Sequence, residues 1–227
     1  MNQTFCKLTS KDLTTRGGYI WRPSEWRTIP EDNRGGRLCS SSYFHFYTSP
    51  LLAAFFNCVH SDIADPLLWE VEVRGEICHE FDKSGSTELM LKRELPLPVI
   101  TTAQRVAVAI LFAKVVCKDK KWNKWANRWM DGEDLSRDAA CEAEARADRA
   151  EAWAAGWAAA RAAGWAARAA TAEATEAWAA RAEKKAAKTA AEAATLAVMW
   201  GEAGSESPQK RLITIISEVM DDPRFSA

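Results

Sequence analysis

Leu68-Trp69-Glu70-Val71-Glu72-Val73-Arg74 is the stretch on which the fold class turns. Apolar Trp69, Val71 and Val73 alternate with charged Glu70, Glu72 and Arg74. A period of two sends one set to a buried face and the other into water, which is the pattern of a strand in a half-covered antiparallel sheet. Gly75 reads as the end of this strand and Ile77 to Phe81 as its returning partner. Ser84-Gly85-Ser86 reads as a tip before a further extended piece, Glu88 to Leu95.

Toward the N-terminus the same texture continues. Gly17-Gly18 punctuates a turn ahead of the short aromatic strand Tyr19-Ile20-Trp21-Arg22, and Gly35-Gly36 opens another before Tyr43-Phe44-His45-Phe46-Tyr47. Ser49-Pro50 supplies an N-cap and a first-turn proline for a helix from Leu51 to His60.

Toward the C-terminus the period changes to that of helices. Thr101-x-x-Gln104 is a capping box in front of the apolar run Val106 to Val116. Lys118 to Met130 is a polar helix with tryptophans at 122, 125 and 129, stopped by Gly132. Lys210 to Met220 is amphipathic on Leu212, Ile213, Ile215, Ile216 and Val219. Between Pro98 and Pro208 there is no proline, as long helices require. From Ala139 to Ala197 alanine fills about half the positions, and alanine has the highest intrinsic helix propensity. A single helix over this interval would run about 90 Å, so folding back on itself is expected, with tryptophans filling the gaps between closely packed helices. The chain is therefore read as α+β: a small mixed, β-rich domain over 1–117, then an all-α, Ala/Trp-rich bundle or hairpin over 118–227.

Composition bounds the partners. Thirty basic residues oppose thirty-one acidic ones in 227, a balance unlike that of a nucleic-acid coat or a polybasic membrane clamp. A mean hydropathy of −0.29, and an apolar run no longer than about a dozen residues, are unlike a membrane span. No apolar run follows a basic head at the start, so a cytoplasmic protein with reduced thiols is expected. Cys58-x-His60 and Cys78-His79 lack the spacing of a zinc site, and neither a P-loop nor a dinucleotide fingerprint is present. No metal and no cofactor is expected.

Tyr19-x-Trp21, Trp26, Cys39 ahead of Phe44-His45-Phe46, Trp69 to Gly75, Asp82-Lys83, Lys92-Arg93 and the linker Trp125 to Asp134 together resemble one family of bacterial and phage proteins. Its members join a small domain of unknown function to an Ala/Trp/Arg-rich helical tail. The resemblance implies that architecture, and a phage or mobile-element setting in host defence or counter-defence. It brings no activity with it.

From the residues themselves the expected function is binding without catalysis, chiefly of a protein, with a small molecule or nucleotide as a further ligand class. The expected site is the face of Tyr43, His45 and Tyr47, with Tyr19, Trp21, Asp82 and Lys83 at its rim. All three tyrosines cluster there, and a phenol suits a surface that is apolar and still donates hydrogen bonds. Two other classes compete. Tyr43 to Phe56 resembles the strand-to-helix segment of ADP-ribosyltransferase-like folds, which implies NAD chemistry with Arg22 or Arg16 as the early basic residue and Glu70 or Glu72 as the acid. Lys120, Lys121, Lys124 and Arg128, interleaved with tryptophans, form the pattern of a nucleic-acid-tracking helix. The i, i+3, i+7 spacing of those tryptophans argues instead for a buried stripe, so nucleic acid is the less favoured partner.

Overall fold

The computed structural model describes residues 4–15, 17–38, 40–80, 83–117, 119–136, 138–143, 145 and 208–225. The folding-back expected of the Ala/Trp-rich interval lies outside these described residues. Antiparallel sheet and helix are both present, and the chain is α+β. It splits into two compact units, Met1–Val99 and Ile100–Ala227.

The alternating stretch does form a strand, and a longer one than expected. β6 (Leu67–His79) pairs antiparallel with β7 (Ser84–Leu95) along nearly its whole length. Gly75 does not end it. The register slips between Arg74 and Ile77, Gly75 takes φ +73°, and the Glu76 N–H is satisfied by Thr87 Oγ1 at 3.0 Å. The glycine thus makes a β-bulge, which a lone glycine in a strand signals as readily as a turn. Ile77 to His79 accordingly continue β6, and Ser84 to Ser86 open β7 rather than forming the tip. Glu80 N–H to Lys83 O, 2.9 Å, now spans the turn.

Around this hairpin sit β1 (Cys6–Thr9) on β6, and β4 (Arg27–Thr28) and β5 (Phe44–Phe46) on β7. β2 (Thr14–Thr15) and β3 (Tyr19–Ile20) form a separate two-stranded piece. The inner core is Trp21, Ile29, Phe44, Phe46, Trp69, Val71, Leu89 and Leu91, all buried. α1 (Pro50–Phe56) starts as its sequence demands, with Ser49 Oγ accepting from Leu51 N–H and proline in the first turn. It gives way at Asn57–Ser61 to a π-helical turn, closed by Asp62 in the left-handed region and clamped by the Asn57 amide on both backbone groups of Ile63.

In the second unit, α2 (Thr102–Val116) opens on the expected capping box, with Gln104 N–H to Thr101 Oγ1 at 3.1 Å and Thr101 N–H to Gln104 Oε1 at 2.8 Å. Val106 to Ile110 are fully buried. An all-round apolar helix needs helices on its sides, and α2 packs on α3 (Lys120–Met130) and the C-terminal helix Pro208–Asp221. That is why α2 goes with the second unit, whereas the division expected from sequence fell at 117. Among the described residues no helix is long and apolar enough to cross a membrane.

Candidate functional site

β5 is the strand on which the expected site depends, and its two neighbours hold it differently. Along β7 it pairs regularly, Phe44 with Ser86, His45 with Gly85 and Phe46 with Ser84. Toward β1 it makes one pair only: Cys6 and Tyr47 exchange backbone hydrogen bonds of 2.8 and 2.7 Å. This closes the ring β1–β6–β7–β5. Beyond it the strands part, and the His45 carbonyl accepts from Lys7 Nζ at 2.7 Å in place of a strand N–H. The ammonium also lies 4.8 Å from the centre of the Trp21 ring, and the residue is only 7% exposed. Burial pushes the Lys7 amine down to about 7.

Strand alternation then divides the expected site into two. Phe44 turns inward and joins Trp21 and Tyr19 in a ring cluster, with centroids 5.1 Å apart for Tyr19–Trp21 and for Trp21–Phe44, and 5.5 Å for Tyr19–Phe44. Trp21 is buried, its indole N–H on Thr15 Oγ1 at 3.1 Å, so it is core and not rim. Tyr19 and its neighbour Ile20 are the exposed end of this cluster, 39% and 61% open.

His45 and Tyr47 lie on the other side of β5. Each phenol expected there has an internal partner: Tyr43 donates to Glu76 Oε1 at 2.6 Å, and Tyr47 Oη meets His60 Nδ1 at 3.1 Å. The Glu76 carboxylate, then burial, pushes the Tyr43 hydroxyl up to about 12. His45 Nε2 contacts the Leu38 carbonyl. A carbonyl only accepts, so Nε2 carries the proton and Nδ1 is left over. Among the described residues no partner is recorded for Nδ1. Burial lowers the His45 pKa, the Leu38 carbonyl opposes this, and the nearby charges of Lys7, Lys83 and His60 lower it further. The turn after β6 delivers Lys83 one position beyond the Ser84–Phe46 pair, so it comes level with Tyr47. Lys83 is 8% exposed. Opposite His45 only glycine fits: a Cβ on Gly85 would lie 2.3 Å from Leu38 Cδ1 and 2.8 Å from Tyr43 Cβ.

The residues of the transferase reading do not join this cluster. Arg22 is exposed and pairs with Glu25 at 3.7 Å. Glu70 accepts from Arg93 Nε at 2.5 Å and lies 3.6 Å from Lys92, and these contacts, the Arg93 hydrogen bond first, hold its carboxyl below the usual range. Glu72 is exposed on β6. Arg16 and Asp82 lie outside the described residues. On α3 the basic residues Lys120, Lys121, Lys124 and Arg128 are exposed, and Arg128 pairs with Asp134 at 3.3 Å. Trp122, Trp125 and Trp129 are buried, so their faces are not offered to bases. Among the described residues there is no grouping of three metal-ligating side chains.

Sequence reasoning missed two members of the cluster. Lys7 had a signal: in Cys6-Lys7-Leu8-Thr9 it falls on the alternate positions with Thr9, facing Trp69 across β1 and β6. His60 was weighed only as a metal ligand. No family model, no curated protein and no solved structure matches this chain, and its chemistry stands on these residues alone.

Proposed function

We propose that the chain is a cytoplasmic, non-catalytic binding protein that engages a protein partner through the exposed end of the Tyr19–Trp21–Phe44 cluster. The observation that carries this is the Tyr19–Ile20 strand. Two large apolar side chains stand open to solvent, and the tyrosine ring is already packed against two others, so little ordering cost remains on contact. A preordered aromatic with a free edge and a polar hydroxyl suits the centre of a protein interface. Further along the sequence, the Ala/Trp-rich interval forms a packed helical bundle or hairpin in this reading. The phage or mobile-element setting, in host defence or counter-defence, comes from the family resemblance alone.

The test is retention of host proteins by the full chain, compared with Ile20→Asp and Tyr19→Ala, each checked for an unchanged melting temperature. A specific protein retained by the parent and lost with Ile20→Asp supports the reading. Equal retention by all three overturns it. For the tail, rapid proteolytic clipping within residues 145–190 of an otherwise intact chain would reject the packed bundle.

A further inference from the structure

We infer that the open edge of β6 pairs with the same edge of a second copy of this chain, antiparallel and about a two-fold axis at Gly75, so that Arg74 of each copy faces Glu76 of the other. This goes beyond the engagement of a protein partner at Tyr19–Ile20, uses other residues and is read by another measurement.

Only one edge of β6 is covered along its length. β7 lies beside it from Leu68 to His79, whereas β1 covers the opposite edge only from Leu67 to Glu70, with one further bond from Val71 N–H to the Phe5 carbonyl at 2.9 Å. From Glu72 to His79 no strand lies on that second edge among the described residues. The direction of the backbone groups is fixed on both sides of the bulge. Val71 N–H points away from β7, to Phe5, while Glu76 N–H points to Thr87 Oγ1 and Glu80 N–H to the Lys83 carbonyl. Alternation then turns the even-numbered residues to β7 and leaves the N–H and C=O groups of Val73, Gly75, Ile77 and His79 on the open edge. A bulge commonly blunts an exposed edge, but the one at Gly75 does not put these donors and acceptors out of phase.

An unpaired edge of this length is a template for another strand, and the side chains select which one. Centring on Gly75 sets Val73 opposite Ile77 and Arg74 opposite Glu76, each twice by symmetry. Residues directly opposite lie on one face with Cβ atoms about 4.5–5.5 Å apart, so apolar and opposite-charge pairs form in one run from Glu72 to Cys78. Moving the axis by one residue sets Arg74 against Arg74 or Glu76 against Glu76, and like charges directly opposite are destabilising. Glycine at the axis leaves no side chain where the two bulges meet. Ile77 stands 43% exposed in a strand whose Leu68, Trp69 and Val71 are buried, and the pairing gives it an apolar neighbour. Arg74 and Glu76 have contacts within their own sheet: the guanidinium carbon lies 3.8 Å from the centre of the Trp26 ring, and Glu76 Oε1 accepts from Tyr43. Neither contact spends the whole group. Glu76 Oε2 remains, and a guanidinium stacked on an aromatic face keeps its fork of N–H donors.

The experiment is sedimentation of the full chain from about 1 to 200 µM, the range of a weak interface. The weight-average mass should rise with concentration toward that of a dimer. Arg74→Glu and Glu76→Arg, each with an unchanged melting temperature, should weaken self-association by about ten-fold or more, since each places two like-charge pairs across the axis. An equimolar mixture of these two variants should associate again, because each copy then brings the charge the other lacks. Ile77→Lys leaves both charges in place and should also weaken association; it carries the test should a charge variant fail to fold. A parent that stays monomeric at every concentration overturns the inference. So does association that none of the three substitutions weakens, which would place it on another surface, or a mixture that associates no better than its components. Self-association that persists in Ile20→Asp, whatever that variant does to host-protein retention, separates this result from the reading of Tyr19–Ile20.

Discussion

The two units bury tryptophan in different ways. In the sheet unit each buried indole has a threonine for its N–H: Trp21 donates to Thr15 at 3.1 Å and Trp69 to Thr9 at 3.1 Å. In the helical unit Trp125 is also buried, and among the described residues its Nε1 has no hydrogen-bond partner. Register accounts for the difference. Antiparallel pairing sets Lys7 opposite Trp69 and places Thr9 on the same face two residues along, at a distance strand geometry repeats. Helices packed through side-chain ridges position a ring by shape, and nothing in a 3.6-residue period brings an acceptor to its edge. Trp21 and Trp69 are hydrogen-bonded parts of the sheet core, and Trp125 fills the helix core by shape.

The largest effects should be alike in both units, because volume loss ignores hydrogen bonding. Trp21→Ala and Trp122→Ala each remove a ring at 1% or less exposure and should cost about 3–5 kcal/mol in urea unfolding followed by circular dichroism. A much smaller loss for Trp122→Ala would mean that α3 is not held by its tryptophan stripe.

Next comes a pH effect confined to the sheet unit. Lys7 titrates at about 7 when folded, against an ordinary 10.5. Between those values the unfolded chain binds more protons than the folded one, so stability should rise as pH increases from 7 to 10, by on the order of a few kcal/mol. Urea midpoints across that range should climb, and Lys7→Met should flatten the slope. A parent midpoint independent of pH would show that the ammonium is better solvated than its position at the β1–β5 seam indicates.

The comparison is sharpest with one conservative change made in each unit. Trp69→Phe takes the indole N–H away from the Thr9 hydroxyl, which keeps its own bond to the Ser10 carbonyl, and should cost about 1–2 kcal/mol. Trp125→Phe removes a donor with no partner among the described residues and should fall within about 1 kcal/mol of neutral, part of the lost ring area being offset by relief of the unpaired N–H. Equal losses in the two would erase the distinction. The smallest expected change is Glu70→Gln. Its ion pairs with Arg93 and Lys92 are solvent-facing, so stability should move by less than about 1 kcal/mol.

How much of this was legible beforehand differs from element to element. The capping box at Thr101, the Ser49-Pro50 helix start and the buried stripe of α3 are local patterns, and each appears where the residues put it. The strand at Leu68 to Arg74 was legible for the same reason, since alternation needs no knowledge of the partner. Its length was not. Whether Gly75 turns the chain or bulges it depends on whether a second strand lies alongside to take the Glu76 N–H, and β7 does.

Local period, capping chemistry and composition by themselves determined the α+β class and the starts of α1 and α2. Tertiary structure alone decided which polar groups meet. Tyr43 and Glu76 lie far apart in sequence, and only the pairing of β5 with β7, and of β7 with β6, brings phenol and carboxylate together. Only the parting of β1 from β5 gives Lys7 a carbonyl to hold. Secondary structure is set by neighbours along the chain, whereas a site is set by neighbours across it, and register and closure determine those only once the whole sheet has formed.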